Sequence, residues 1–175
     1  MKGSPLPRIH VCSLALIDSQ VEATGARSLM TLLSPGTAVA RPAAIAGDRH
    51  LYVAVSDIVR AEPGQILPEA SHVQSVLDFA LEWDRQAPML IHCFAGVSRS
   101  TAAAFISACA LAPRRDETAF AQAIRLASPT ASPNSRMVAL ADAMLERNGR
   151  MVRAIAGIGR GEECFEGKPF ALELR

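Results

Sequence analysis

Met89-Leu90-Ile91-His92-Cys93-Phe94-Ala95-Gly96-Val97-Ser98-Arg99-Ser100 is the stretch on which the fold turns. Pro88 precedes it, and Met89 to His92 form the short apolar run of a buried strand. From about Ser98 the small residues, among them Ala102, Ala103 and Ala104, predict a closely packed helix that reaches Leu111 and stops at Pro113. Between strand and helix lies a tight loop, with Cys93 at its start and Arg99 after five intervening residues. Such a loop sets a thiol beneath the positive end of a helix, where amide N–H groups have no intrahelical partner. Gly96 lets the backbone curl so that successive N–H groups point inward, a nest suited to phosphate oxygens. Arg99 can reach back over the rim and grip two of those oxygens with its planar fork. The same surroundings favour the thiolate, the nucleophilic form of cysteine.

Working outward, Glu69 to Trp83 carries Val73, Val76, Leu77, Ala80 and Leu81 at the spacing of an amphipathic helix. Arg49 to Ser56 alternates Leu51, Val53 and Val55 with the period of a strand. Asp57 to Pro68, with two prolines and a glycine, reads as a surface loop. Ile9 to Ile17 predicts a mostly apolar strand. Asp18-Ser19 then opens a helix, with Glu22 in capping-box position, that runs to about Leu33 and ends at Ser34-Pro35-Gly36. Thr37 to Asp48 is loop-like, with a short strand around Val39. Two helices are expected near Glu117 to Ala127 and from Asn134 to Glu146. The second continues past Gly149 to Ile158, because Met151, Val152 and Ile155 keep its period. Arg160 to Arg175 has no clear signal. Strands alternating with helices imply an α/β fold with a central, mostly parallel sheet of four to five strands flanked by helices. Ligands of such sheets bind at the carboxyl ends of the strands. One domain is expected over residues 1–175, with a core over about 9–147 and a helical extension over about 148–175.

The chain has 175 residues, half of them apolar and a fifth charged, which is the balance of an ordinary globular protein. A net charge of +1 gives no field that argues for nucleic acid or an acidic membrane surface. Affinity for an anion must therefore come from a local arrangement of donors. No stretch approaches the roughly 20 apolar residues that cross a bilayer, and Met1 to Pro7 reads as neither leader nor anchor. There is no internal repeat. Cys12, Cys93, Cys109 and Cys164 form no CxxC pair, a pattern that suits a reducing, cytoplasmic setting. His10, His50 and His72 lack metal-ligand spacing, so neither a metal nor another cofactor is expected.

The run His92-Cys93-x-x-Gly96-x-Ser98-Arg99-Ser100 resembles the signature loop of the protein tyrosine phosphatase superfamily, above all its dual-specificity branch. The whole chain looks most like the predicted tyrosine phosphatases of bacteria. The resemblance implies that Cys93 attacks phosphorus to form a phosphocysteine, and that Arg99 binds the phosphate and the transition state. It implies that Ser100 helps the thiolate leave. Phe94, Ala95, Gly96, Val97 and Ser98 would surround the phosphate, and His92 would orient the loop. The family's general acid is an aspartate after a strand, which falls on Asp57; Glu62 on the same loop is the reserve. The Asp57 to Pro68 segment is longer than the usual dual-specificity pattern. Arg125 to Asn134 is similar to the family's arginine- and proline-containing stretch, where Asn134 would support the signature loop while capping the next helix. The matches span about Ile9 to Glu146.

The implied activity is hydrolysis of a phosphorylated protein or a small phosphomonoester. One alternative is a phosphate-binding or phosphopeptide-binding module that keeps the nest without turnover. Another is a phosphoinositide phosphatase, against which the neutral Phe94, Ala95 and Val97 speak. Tyr52, the one tyrosine, lies within a strand, so no aromatic wall is expected and the pocket should be shallow.

Overall fold

The structure is a computed structural model that describes residues 8–175; Met1 to Pro7, read above as neither leader nor anchor, lie outside the described residues. Strand β1 (Arg8–Ser13) leads through a 3-10 turn (Leu14–Leu16) into helix α1 (Ile17–Thr24), and β2 (Ser28–Leu33) follows. After a long loop come β3 (His50–Ala54), α2 (Ala70–Glu82), β4 (Met89–Cys93) and α3 (Arg99–Leu111). Helices α4 (Glu117–Ala127), α5 (Ser135–Met144) and α6 (Arg150–Gly157) precede the last strand, β5 (Phe170–Glu173). The described residues form a five-stranded sheet in the order β3-β2-β4-β1-β5. All pairings are parallel except β5 against β1. The expected α/β architecture with a mostly parallel sheet is therefore present.

The two faces of the sheet are buried unequally. Ile9, Val11, Met30, Leu32, Met89, Ile91 and Cys93 face a large core closed by α2 to α6, with Phe105 and Phe120 fully buried at its centre. Cys12, Leu29 and Leu90 face a smaller cluster with Ile17, Val21 and Ile45. Helix α3 is buried along nearly its whole length and packs against β1 and β4. Its run of alanines makes this possible, since small side chains let a helix lie close to a sheet on all sides. Beneath it, Arg147 Nη1 donates to Glu117 at 2.8 Å and Nη2 donates to the Cys109 carbonyl at 2.9 Å, tying α4, α3 and the turn after α5 together.

Five expectations differ from the structure. The helix after the first strand ends at Thr24 rather than near Leu33. Gly25 takes the left-handed conformation (φ 70°) that closes it, and Ser28–Leu33 is a strand with every residue buried. The expected Ser19–Glu22 capping box is absent: α1 begins at Ile17, and the Ser19 hydroxyl donates to the Leu16 carbonyl at 3.1 Å. Helix α5 does not continue through Gly149. The chain turns at Leu145–Gly149, and Asp142 caps the separate α6 by accepting from the amides of Gly149, Met151 and Val152. The strand expected around Val39 is not formed, and the tail contains β5 instead of continued helix.

Parallel pairing places the carboxyl ends of β1, β4, β2 and β3 along one edge of the sheet. Ser13, Cys93, Ser34 and Val55 therefore converge from positions distant in sequence.

Candidate active site

Cys93 is the last residue of β4, and the chain leaves the strand directly into the loop that starts α3. The loop is pressed against the end of β1. At Gly96 (φ +72°) a Cβ would stand 2.8 Å from the Cys12 carbonyl carbon and 2.9 Å from Cys12 O and Ser13 N. Only glycine fits this position, for both its conformation and the lack of space. The outward backbone is braced on three sides. Leu14 N donates to Phe94 O at 3.1 Å, Ser132 N to Val97 O at 2.9 Å, and Asn134 N to Ser98 O at 3.2 Å. Gly167 N, from the tail, donates to Ala95 O at 2.9 Å.

Cys93 is buried, with Sγ 3.0 Å from the Ser100 hydroxyl. Arg99 is also buried. Its Nη1 donates to Val55 O at 3.0 Å and to Ser34 Oγ at 3.3 Å, while its Nε has no hydrogen-bond partner among the described residues. The guanidinium is thus anchored at one end by the termini of β2 and β3. Phe94 stands 64% exposed at the rim of the loop. Cys12 lies beneath it as a neutral thiol. Burial pushes it up to about 12, helped by the charges of Cys93 and Glu166 nearby.

His92 is fully buried and its two ring nitrogens are fixed by their partners. Nδ1 lies 3.1 Å from the Cys93 carbonyl, an acceptor only, so Nδ1 carries the proton. Nε2 then accepts from the Thr31 hydroxyl at 2.7 Å, and Thr31 Oγ1 accepts in turn from His50 Nε2 at 2.8 Å. This neutral arrangement agrees with the depressed basicity of His92, which burial lowers to about 4.

Asp57 follows β3 and reaches the loop. Its Oδ1 accepts from Ser98 Oγ at 2.7 Å and from Asn134 Nδ2 at 3.0 Å, and its Oδ2 makes no hydrogen bond among the described residues. Asn134 Nδ2 also donates to Ile58 O at 3.2 Å, while its Oδ1 caps α5 by accepting from Met137 N at 3.1 Å. The side chain of Asn134 thus holds Asp57 and its backbone holds the loop. Ser98 makes no side-chain cap for α3 and is spent on Asp57. Glu62 is exposed and accepts from Gln65 within its own turn. His72 belongs to the capping box of α2, accepting from Glu69 N at 3.0 Å. Among the described residues no three His, Cys, Asp or Glu side chains converge as metal ligands, and no helix is long and apolar enough to cross a membrane.

The sequence gives no sign that Ser34, Thr31, His50 and the tail segment up to Gly167 support the loop. Each reaches the loop through strand pairing or a long return of the chain, and none carries a local pattern.

No protein-family model and no curated protein matches the sequence. Solved structures do resemble the fold. The crystal structure of human DUSP28 aligns with a TM-score of 0.61 and 17% identity, over 80% of this chain and 92% of that one. DUSP15 aligns at 0.60 and 18% identity, over 90% and 96%. The PTP-2 phosphatase of Cydia pomonella aligns at 0.60 and 19% identity, over 77% and 84%. The chain therefore has the fold of the dual-specificity phosphatases.

Proposed function

We propose that this chain is a cysteine-dependent phosphomonoester hydrolase of the protein tyrosine and dual-specificity phosphatase kind, acting on phosphorylated protein through a phosphocysteine intermediate. One observation carries the proposal. A single tight loop holds Cys93 Sγ 3.0 Å from the Ser100 hydroxyl, together with a buried guanidinium whose Nε has no partner among the described residues. A buried N–H left unsatisfied costs on the order of 1–3 kcal/mol, more when charged. A phosphate oxygen held in the nest would accept from it.

In the first step the Cys93 thiolate attacks phosphorus, the P–O ester bond breaks, and Asp57 gives its proton to the departing oxygen. Arg99 and the loop amides stabilise the charge on the transferring phosphoryl oxygens. In the second step water attacks phosphorus, its proton returns to Asp57, and the P–S bond breaks. The Ser100 hydroxyl donates to the thiolate that is released. The free Oδ2 of Asp57 supports its part, since Ser98 and Asn134 hold the other oxygen.

Residues 1–175 act as one catalytic domain in this proposal, supported by the pairing of tail strand β5 with β1. The cysteines are free, and three of the four are buried. A thiol nucleophile of this kind suits a reducing compartment such as the cytoplasm.

Turnover of an aryl phosphate by the purified protein tests the proposal. Cys93→Ser is expected to abolish turnover while still binding a phosphopeptide. Asp57→Asn is expected to lower kcat at least roughly tenfold, as positioned acids contribute about 10²–10⁴-fold. An inert wild type whose Cys93→Ser variant binds phosphopeptide would instead identify a binding module without turnover.

A further inference from the structure

The segment after α6 crosses back over the loop before it enters β5. Gly161 N donates to Ser132 Oγ at 2.9 Å, and Glu162 N donates to Pro129 O at 2.9 Å. At the other end Gly167 N donates to Ala95 O at 2.9 Å, and the Ser13 hydroxyl donates to Glu166. Both fixed ends use glycine for close approach. A Cβ at Gly161 would stand 2.5 Å from backbone atoms of Thr130 and Ala131, and one at Gly167 would stand 3.0 Å from Gly96 O. Between these clips Glu163, Cys164 and Phe165 stand out as an exposed arch. Beside it lies a cavity of about 610 Å³, whose other wall includes Asp57, Val97 and Ser98.

We propose that this arch is the substrate-recognition wall of the site, and that it takes a basic side chain flanking the phosphorylated residue of a peptide. The proposal rests on the phosphatase reading, since Asp57 and Ser98 belong both to the cavity and to the site. Because Asp57 would protonate the leaving oxygen, the group that carries this oxygen enters the cavity that Asp57 and the arch both line. The volume falls within the range of about 300–1,000 Å³ that holds substantial ligands, so a small phosphomonoester would leave the arch untouched. Glu162 and Glu163 line the cavity together with Asp57. Among the described residues that line it the one cation is Arg160, which reaches Glu163 at 3.7 Å with both side chains more than 80% exposed, a pairing too solvated to cancel the field. The Phe165 ring is fully exposed at 103%, so its faces carry no packing against the described residues. Lysine and arginine match this wall: an apolar stem lies on a ring, and a charged head meets carboxylates or the ring face.

The test compares kcat/KM for a phosphopeptide with an arginine beside the phosphorylated residue, the same peptide with glutamate there, and para-nitrophenyl phosphate. The wild type is expected to prefer the basic peptide roughly three- to tenfold, through KM, and the preference should shrink at high salt. The double variant Glu162→Gln, Glu163→Gln is expected to bring that preference close to one. Phe165→Ala should lower the efficiency on the basic peptide relative to the aryl phosphate. Hydrolysis of the aryl phosphate with no preference between peptides, or a preference that the double variant leaves intact, overturns the wall and leaves the phosphatase reading standing. Faster turnover of a polyphosphorylated inositol lipid than of either peptide also overturns it. Absence of turnover on every substrate sinks the phosphatase reading, and the wall with it.

Discussion

The hydrogen bond from His92 Nδ1 to the Cys93 carbonyl is the last link of a chain that begins on β3, at His50, and passes through Thr31 on β2. Each group has one role open to it: His50 donates, the Thr31 hydroxyl relays, and neutral His92 accepts and donates. Removing the relay leaves the His92 acceptor without a donor inside the protein, which costs about 1–3 kcal/mol. Thr31→Val should therefore lower unfolding stability by about that much in urea titration, and kcat should fall because the loop loses its support. Thr31→Ser should recover most of both. A fully stable Thr31→Val protein with unchanged kcat would show that His92 needs no such support. The meeting of Cys93, Arg99 and Ser100 was legible in the sequence because one turn contains them all. Thr31 was not, because it meets His92 only through the pairing of β2 with β4, in which the two residues are direct partners.

At the scale of elements, legibility followed burial pattern. Helix α2 showed its apolar stripe because its other face is wet, whereas β2 is buried on both faces and alternates nothing. Leu29, Met30, Leu32 and Leu33 are also good helix formers, so the run reads as a continuation of the preceding helix unless Gly25 is taken as its stop. β5 was illegible for a different cause: it is four residues long, at the sheet edge, and made by pairing with the distant β1. The arch between α6 and β5 depends on glycine in the same non-local way. At Gly161→Ala the three atoms nearest the new Cβ are backbone atoms of Thr130 and Ala131, which cannot swing aside as a side chain would. Overpacking of this kind costs about 1–3 kcal/mol, and here it should lift the arch off its clip. Trypsin cleavage after Arg160, which Gly161 follows, should then accelerate several-fold over wild type. Gly47→Ala, where nothing lies within 4 Å of the added Cβ, should leave that cleavage rate unchanged. Equal rates in all three proteins would mean that the arch is held by β5 alone.

For the whole molecule, the core and the site are joined through His92, which sits fully buried in the central strand with its ring held neutral. Burial lowers its pKa from 6.5 to about 4. Between those two values the unfolded chain binds a proton that the folded chain refuses, so acid favours unfolding. The stabilisation is complete above about pH 6.5, drains away as the pH falls, and is gone below about 4. A gap of this size corresponds to about 3 kcal/mol. His10 and His50, lowered in the same direction by burial and by Arg8 and Arg41 respectively, add to the slope over the upper part of that window. Urea unfolding at half-unit steps from pH 7.5 to 4 should show the decline in wild type. His92→Asn keeps a donor near the Cys93 carbonyl and removes the titrating ring. Its stability should start lower at pH 7.5 and fall much less on acidification, so that the two curves converge near pH 4. Parallel curves over that range would mean that His92 takes up its proton as readily in the folded protein as in the unfolded chain, and that its burial is not what sets the acid sensitivity.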